Sequence, residues 1–194
     1  MPVTSKPPLA LAVTAPVDLR PLIGPPIREI FRQAVPAADT GLMERLIAHY
    51  REAYDGEGCL RAAFFPSVRE VLATLRQAGA TCFVVTNKPA LPTRRLLDHL
   101  GLTSCFEAVV SPDSAAQPFP GKTAMMQALV KRFALPPAAT LVIGDSEDDA
   151  AAAAACDIPF AAVTYGYGQA ARSRHPVWRS VASLYEILPQ TAEH

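Results

Sequence analysis

Leu141-Val-Ile-Gly-Asp-Ser-Glu-Asp-Asp149 decides how this chain is read. Leu141, Val142 and Ile143 form a short continuous apolar run, the pattern of a strand covered on both faces. Gly144 and Asp145 turn the chain, and Ser146 can open a helix. The six alanines from Ala150 to Ala155 make that helix thin enough to lie close to a sheet. Asp145 sits in the turn and Asp149 in the first helical turn, so both carboxylates can face one spot above the sheet. Hard oxygen ligands of this kind suit Mg²⁺, which binds through one or two carboxylates and keeps several waters. The same residues also suit plain capping, with Asp145 and Ser146 closing the helix start and the acids favouring its dipole.

Outward from this stretch, strand and helix patterns alternate. Upstream, Val68, Val71, Leu72 and Leu75 make a helical stripe closed by Gly79, and residues 82–85 read as a buried strand. Pro92 opens a helix that stops at Gly101, and residues 106–110 read as a strand. Residues 121–133 read as a helix with Met125, Met126, Leu129 and Val130 inward. Downstream, residues 159–163 read as another strand, and Val181, Leu184, Tyr185 and Leu188 suggest a final helix. Nearer the N-terminus the pattern is helical. Pro25-Pro26 precede Ile27, Ile30 and Phe31, and Asp39-Thr40 cap a stretch with Leu42, Leu46, Ile47 and Tyr50 on one face. Residues 9–14 can form one short strand. Alternation from residue 66 onward predicts an α/β fold, a doubly wound parallel sheet of Rossmann-like type. Ligands in such sheets sit beyond the carboxyl ends of the strands.

Two more strand-end features follow. Thr86-Asn87-Lys88-Pro89 comes after the 82–85 run; its hydroxyl and amides either hold a phosphate oxygen or cap the next helix. Lys122 stands at the start of a helix, where it is either a point cation for phosphate or an ordinary surface lysine.

Composition narrows the class. The chain has 194 residues, 50% hydrophobic and 19% charged, which suits a folded domain with a core and argues against disorder. Eighteen basic and eighteen acidic residues cancel, which argues against a broad footprint for nucleic acid or an anionic membrane. Cys59, Cys82, Cys105 and Cys156 form no CxxC pair, and Cys82 and Cys156 read as core residues. No apolar run approaches the roughly 18 residues of a membrane span. Residues 8–15 imitate a short signal core, but only Lys6 stands before them and no convincing cleavage context follows, so a cytoplasmic location is expected.

Taken together, these motifs resemble the haloacid dehalogenase superfamily of phosphohydrolases, in particular its phosphoglycolate-phosphatase-like branch. Phe83-Val-Val-Thr-Asn-Lys-Pro89 is similar to the second motif, with Thr86 as the phosphate-binding hydroxyl and Asn87 beside it. Lys122 is similar to the third-motif lysine, and Gln117-Pro-Phe-Pro120 to a degenerate remnant of its commoner form. Gly144-Asp-Ser-Glu-Asp-Asp149 is similar to the fourth motif, with Asp145 and Asp149 at the magnesium site. Pro21-Leu-Ile-Gly-Pro-Pro-Ile27 resembles the start of the branch's small helical cap, and Tyr165-Gly-Tyr-Gly168 the loop after its last core strands. The resemblance implies an N-terminal segment at 1–21, a helical cap at 22–62 and a haloacid-dehalogenase-like core at 63–194. It also implies Mg²⁺-dependent hydrolysis of a small phosphorylated metabolite, with Lys122 stabilising charge.

One part of the pattern is absent. The family's first motif, Asp-x-Asp-x-Thr, supplies the nucleophile and the general acid/base, and no Asp-x-Asp occurs in these residues. Asp18 is followed by Leu19 and Arg20, which do not supply it. By the resemblance, the missing strand lies between those ending at Thr86 and Gly144. Either residues 9–14 fill that place, another chain does, or the fold is damaged. Three readings stand: an impaired phosphomonoesterase, a non-catalytic phosphate- and metal-binding or interaction protein on the same scaffold, or a truncated gene product. Substrate identity and oligomeric state are not legible.

Overall fold

The computed structural model describes residues 23–188; the expected strand at residues 9–14 and Asp18 lie outside them. Helix α1 (Ile27–Ala34) follows Pro26, which stands at its N-cap. Helix α2 (Thr40–Gly56) is capped by Asp39, whose side chain accepts from the Leu42 N–H. Its buried residues are Met43 and Ile47, whereas Tyr50 on the expected apolar face is only partly covered. A 3-10 helix (Gly58–Arg61) and an extended linker lead into α3 (Val68–Gln77), which buries Val71.

The core then alternates as expected. Strand β1 (Phe83–Val85) runs through α4 (Ala90–His99) to β2 (Ala108–Val110), with which it pairs in parallel. Helix α5 (Lys122–Phe133) leads to β3 (Val142–Gly144), then α6 (Glu147–Ala154), β4 (Phe160–Val163) and β5 (Arg179–Val181). Strands β3, β4 and β5 pair in parallel in that order. This is an α/β core of Rossmann-like type, as the alternation predicts. Among the described residues it forms two ladders, β1–β2 and β3–β4–β5, and β1 does not pair with β3.

Helix α5 joins the two ladders. Its Met125 and Leu129 pack in one apolar cluster with Val110, and its Met126 in a second with Val142, Ile158 and Phe160. Half-buried Val85 of β1 touches both clusters. Along α6, Ala150, Ala152 and Ala153 are fully buried, so the alanine run does bring that helix close to its neighbours.

Several local expectations need correction. Helix α4 begins at Ala90, before Pro92. A proline in the first turn loses no helical hydrogen bond, so Pro92 fits inside the start. Among the described residues, the expected final helix does not form. Val181 pairs with Val163 as a strand residue, and Leu184–Ile187 is a single 3-10 turn. The apolar spacing there imitates a helix because β5 is only three residues long and two of them, Arg179 and Ser180, are exposed. Of the cysteines, Cys59 is the fully buried one, while Cys82 and Cys156 are half-buried. Burial still pushes both of those thiols above their ordinary pKa.

Phe160 is 1% exposed at the centre of the larger cluster. Phe160→Ala is expected to lower unfolding free energy by about 3–5 kcal/mol, read as a shift of the urea midpoint with an unchanged slope.

Candidate functional site

The chemistry-bearing residues sit where the strands end. Thr86 extends β1, its N–H donating to Val110 O at 3.0 Å. Its hydroxyl oxygen accepts from the Lys88 N–H at 3.1 Å and does not cap α4. That helix is capped from elsewhere: the Ala90 N–H donates to Asp113 Oδ1 at 2.8 Å, from the loop after β2. The capping alternative for Thr86 therefore fails, and its O–H proton remains available for another acceptor.

Asn87 forms a bridge. Its Nδ2 donates to Gly24 O at 3.2 Å and to Asp148 Oδ2 at 3.3 Å. The chain entering α1, the end of β1 and the start of α6 thus meet at one side chain. Lys88 reaches the other way, its ammonium bonding to Tyr54 Oη on α2. Tyr54 stacks on Tyr50 at 5.1 Å, and Tyr50 meets the edge of Phe31 at 6.0 Å. Burial, with Tyr54 and Asp55 beside it, pushes the Tyr50 hydroxyl up to about 12.

Lys122 opens α5 and crosses to α6, where its Nζ lies 2.8 Å from Asp149 Oδ1. Both side chains are nearly buried, 11% and 12% exposed. Lys122 is therefore not an ordinary surface lysine. The other oxygen of Asp149 accepts from the Ser146 N–H at 3.1 Å and from the Ser146 hydroxyl. With the Asp149 N–H donating back to Ser146 Oγ, this is a capping box. Gly144 is needed beside it, because a Cβ there would stand 2.4 Å from the Asp149 carboxyl carbon.

Asp145 is gripped from the opposite side. Its Oδ2 accepts from the Tyr167 N–H at 2.7 Å and the Gly168 N–H at 3.0 Å, while its backbone oxygen accepts from Ala170 N–H at 2.9 Å. The loop comes so near that a Cβ on Gly166 would lie 2.3 Å from Asp145 Oδ2, and one on Gly168 2.1 Å from Asp145 O. Asp145 Oδ1 accepts no bond from the described residues, whereas both oxygens of Asp149 are engaged. Among the described residues, no three His, Cys, Asp or Glu side chains gather as a cation cluster. Next to this site, Glu147 is held below the ordinary carboxylate pKa by the Ser173 hydroxyl first, and then by Arg174 and His175.

A cleft of about 550 Å³ opens between these elements, lined by Pro26, Asn87, Gly121, Lys122, Asp148 and Ala151, among others. The structure thus brings Asn87 and Lys122 to one cleft and ties Lys122 to Asp149. Thr86, Asp145 and Asp149 do not line it. The grip on Asp145 by backbone amides was not legible from side-chain types, although the two glycines of the 165–168 loop were its signal.

Residues 10–163 match the family described as haloacid dehalogenase-like hydrolase. The chain belongs to that family. Its relatives place it on the phosphoglycolate-phosphatase-like branch. It is 34% identical to a phosphoglycolate phosphatase of Agrobacterium fabrum over 170 residues, covering 82% of this chain and 71% of that one. A phosphoglycolate phosphatase of Rhodospirillum rubrum is 35% identical over 141 residues, covering 73% of this chain but only 56% of its own length. The chain thus spans little more than half of some relatives it matches. Among solved structures, a predicted phosphoglycolate phosphatase from Haemophilus somnus superposes with a TM-score of 0.74 at 25% identity, covering 87% of this chain and 79% of that one. Among the described residues, no helix is long and apolar enough to cross a membrane.

Two outcomes test this geometry. Lys122→Met strands a nearly buried carboxylate and is expected to cost about 3 kcal/mol or more. Lys122→Met with Asp149→Asn should recover most of that loss in urea melts. Gly166→Ala should lower Tm, because the loop must leave Asp145. Gly56→Ala, with nothing within 4 Å of its new methyl, should leave Tm unchanged or raise it.

Proposed function

We propose that this chain carries the phosphate- and cation-holding part of a magnesium-dependent phosphomonoesterase of the phosphoglycolate-phosphatase type, and that the 194 residues by themselves turn over poorly. The observation that carries this is the nearly buried Lys122–Asp149 pair beside a cleft that also holds the Asn87 amide. We read residues 22–62 as the cap that selects the ligand and 63–194 as the core.

The donor set fits a hard cation. Asp145 keeps one oxygen clear of donors and would be the direct ligand. Asp149, with both oxygens engaged, would stand behind it and hold Lys122 in place. Bound Mg²⁺ would supply positive charge against phosphoryl oxygens. The ligand is a small phosphorylated metabolite. Lys122, fixed by Asp149, offers a point cation to its phosphate. Thr86, whose hydroxyl proton is uncommitted, would donate it from the strand end beside the cleft, and Asn87, its amide hydrogens engaged by Gly24 O and Asp148 Oδ2, shapes the cleft wall. These groups provide charge stabilisation without a covalent step. The covalent step needs a carboxylate in line with phosphorus and a second acid nearby. No Asp-x-Asp in the chain supplies them. A non-catalytic phosphate-binding or interaction role on the same scaffold is the second reading, favoured by that same lack.

Phosphate release from 2-phosphoglycolate and 4-nitrophenyl phosphate with Mg²⁺ separates the readings. Very slow or no turnover is expected, together with calorimetric binding of inorganic phosphate that Lys122→Met weakens at least tenfold. Rapid turnover abolished by Asp145→Asn would show that a nucleophile exists in the chain. Phosphate titrations identical for wild type and Lys122→Met would remove the phosphate site.

A further inference from the structure

Asp145 owes its orientation to the 165–168 loop, and that loop is itself held from outside the core. Phe65 lies in the extended linker between the 3-10 helix (Gly58–Arg61) and α3. Its ring centroid is 5.1 Å from that of Tyr165 and 6.2 Å from that of Tyr167, tilted against the first and edge-on to the second. Tyr165 is sufficiently covered that burial pushes its hydroxyl above the ordinary tyrosine pKa. Tyr167 is the residue whose N–H donates to Asp145 Oδ2. A continuous path of contact therefore runs from the linker, through two tyrosine rings, into the hydrogen bond that aims a candidate cation ligand.

The loop has little freedom to absorb a shift. On its inner side Gly166 and Gly168 are already pressed against Asp145, and an added methyl at either would meet it at 2.3 Å or less. On its outer side the support from the linker is aromatic. Ring pairs at these separations add attraction beyond the area they cover. The linker is covalently continuous with α2 and the 3-10 helix, and α2 is tied to the end of β1 through Tyr54 and Lys88. A change in how the helical segment sits would therefore move Phe65, and with it the amides on Asp145.

We propose that Phe65 is a positioning residue: its ring clamps the Tyr165–Gly-Tyr-Gly168 loop and makes the aim of the Asp145 carboxylate depend on the placement of the N-terminal helical segment. Its consequence for the cation rests on the role proposed above for Asp145; the mechanical coupling does not.

Residue-resolved amide hydrogen exchange on the full 194-residue chain tests it. In Phe65→Ala the Tyr167 and Gly168 N–H groups should exchange several-fold to about tenfold faster, while the amides of β4 keep their wild-type protection. Phe65→Tyr, which keeps the ring, should restore slow exchange. Phe65→Leu, which keeps an apolar side chain without the ring, should not. Unchanged exchange of the two amides in Phe65→Ala, or equal protection in the tyrosine and leucine variants, overturns the proposal. Loss of protection throughout β4 also overturns it, since Phe65 would then be a general stabiliser. Adding Mg²⁺ to wild type is a separate arm: if the same two amides do not respond and calorimetry matches Asp145→Asn, the cation reading fails while the coupling is still judged by the variants.

Discussion

The contact between Lys122 and Asp149 is the constraint on which the rest of the site depends. An ammonium and a carboxylate this nearly buried are costly to strip of water, and the cost is offset only when geometry and extra hydrogen bonds are good. Here the carboxylate is fully engaged, by Lys122 on one oxygen and Ser146 on the other. Because Lys122 is the first residue of α5 and Asp149 belongs to the first turn of α6, the pair fixes the relative position of two helix starts. The flank of the cleft formed by Lys122, Asp148 and Ala151 follows from that placement.

A second set of contacts converts these helix starts into a site. The Tyr167 and Gly168 amides hold one oxygen of the Asp145 carboxylate, and its other oxygen accepts no bond from the described residues. Asn87 links the end of β1 to Asp148 and to the chain entering α1. Lys88 holds Tyr54, and the Arg95 guanidinium bonds the Asp55 carbonyl, so α2 is fastened to the core at its C-terminal end. The helical segment therefore touches the candidate site through residues directly after Thr86.

The two ladders make a related point. In a single continuous sheet, β1 and β3 would be brought together by backbone hydrogen bonds. Among the described residues, side chains carry that burden instead, with Met125, Met126 and Leu129 of α5 reaching clusters on both sides and Val85 touching each. Membership of the haloacid dehalogenase-like hydrolases accounts for the parallel strands and the helices between them. It does not by itself assign chemistry, since sites are grafted onto folds and must be argued from their own residues.

Sequence alone determined the alternation of strands and helices from residue 66 onward, because a buried strand and an amphipathic helix leave different apolar periods. It also determined the acids after β3, the lysine opening α5 and the lack of Asp-x-Asp, since those are matters of residue type and order. It misjudged the region after residue 179, where a three-residue edge strand has too few buried positions to show a period. Only the tertiary structure decided which partner each polar group takes. Asp113 rather than Thr86 caps α4, Asp149 turns to Lys122 while Asp145 turns to two backbone amides, and Phe65 backs the loop that supplies them. Those choices join residues 22 to 100 positions apart, and a backbone amide carries no signature in the side chain that hangs from it. Long-range pairing of this kind is set by how helices pack on strands, and local pattern cannot encode it.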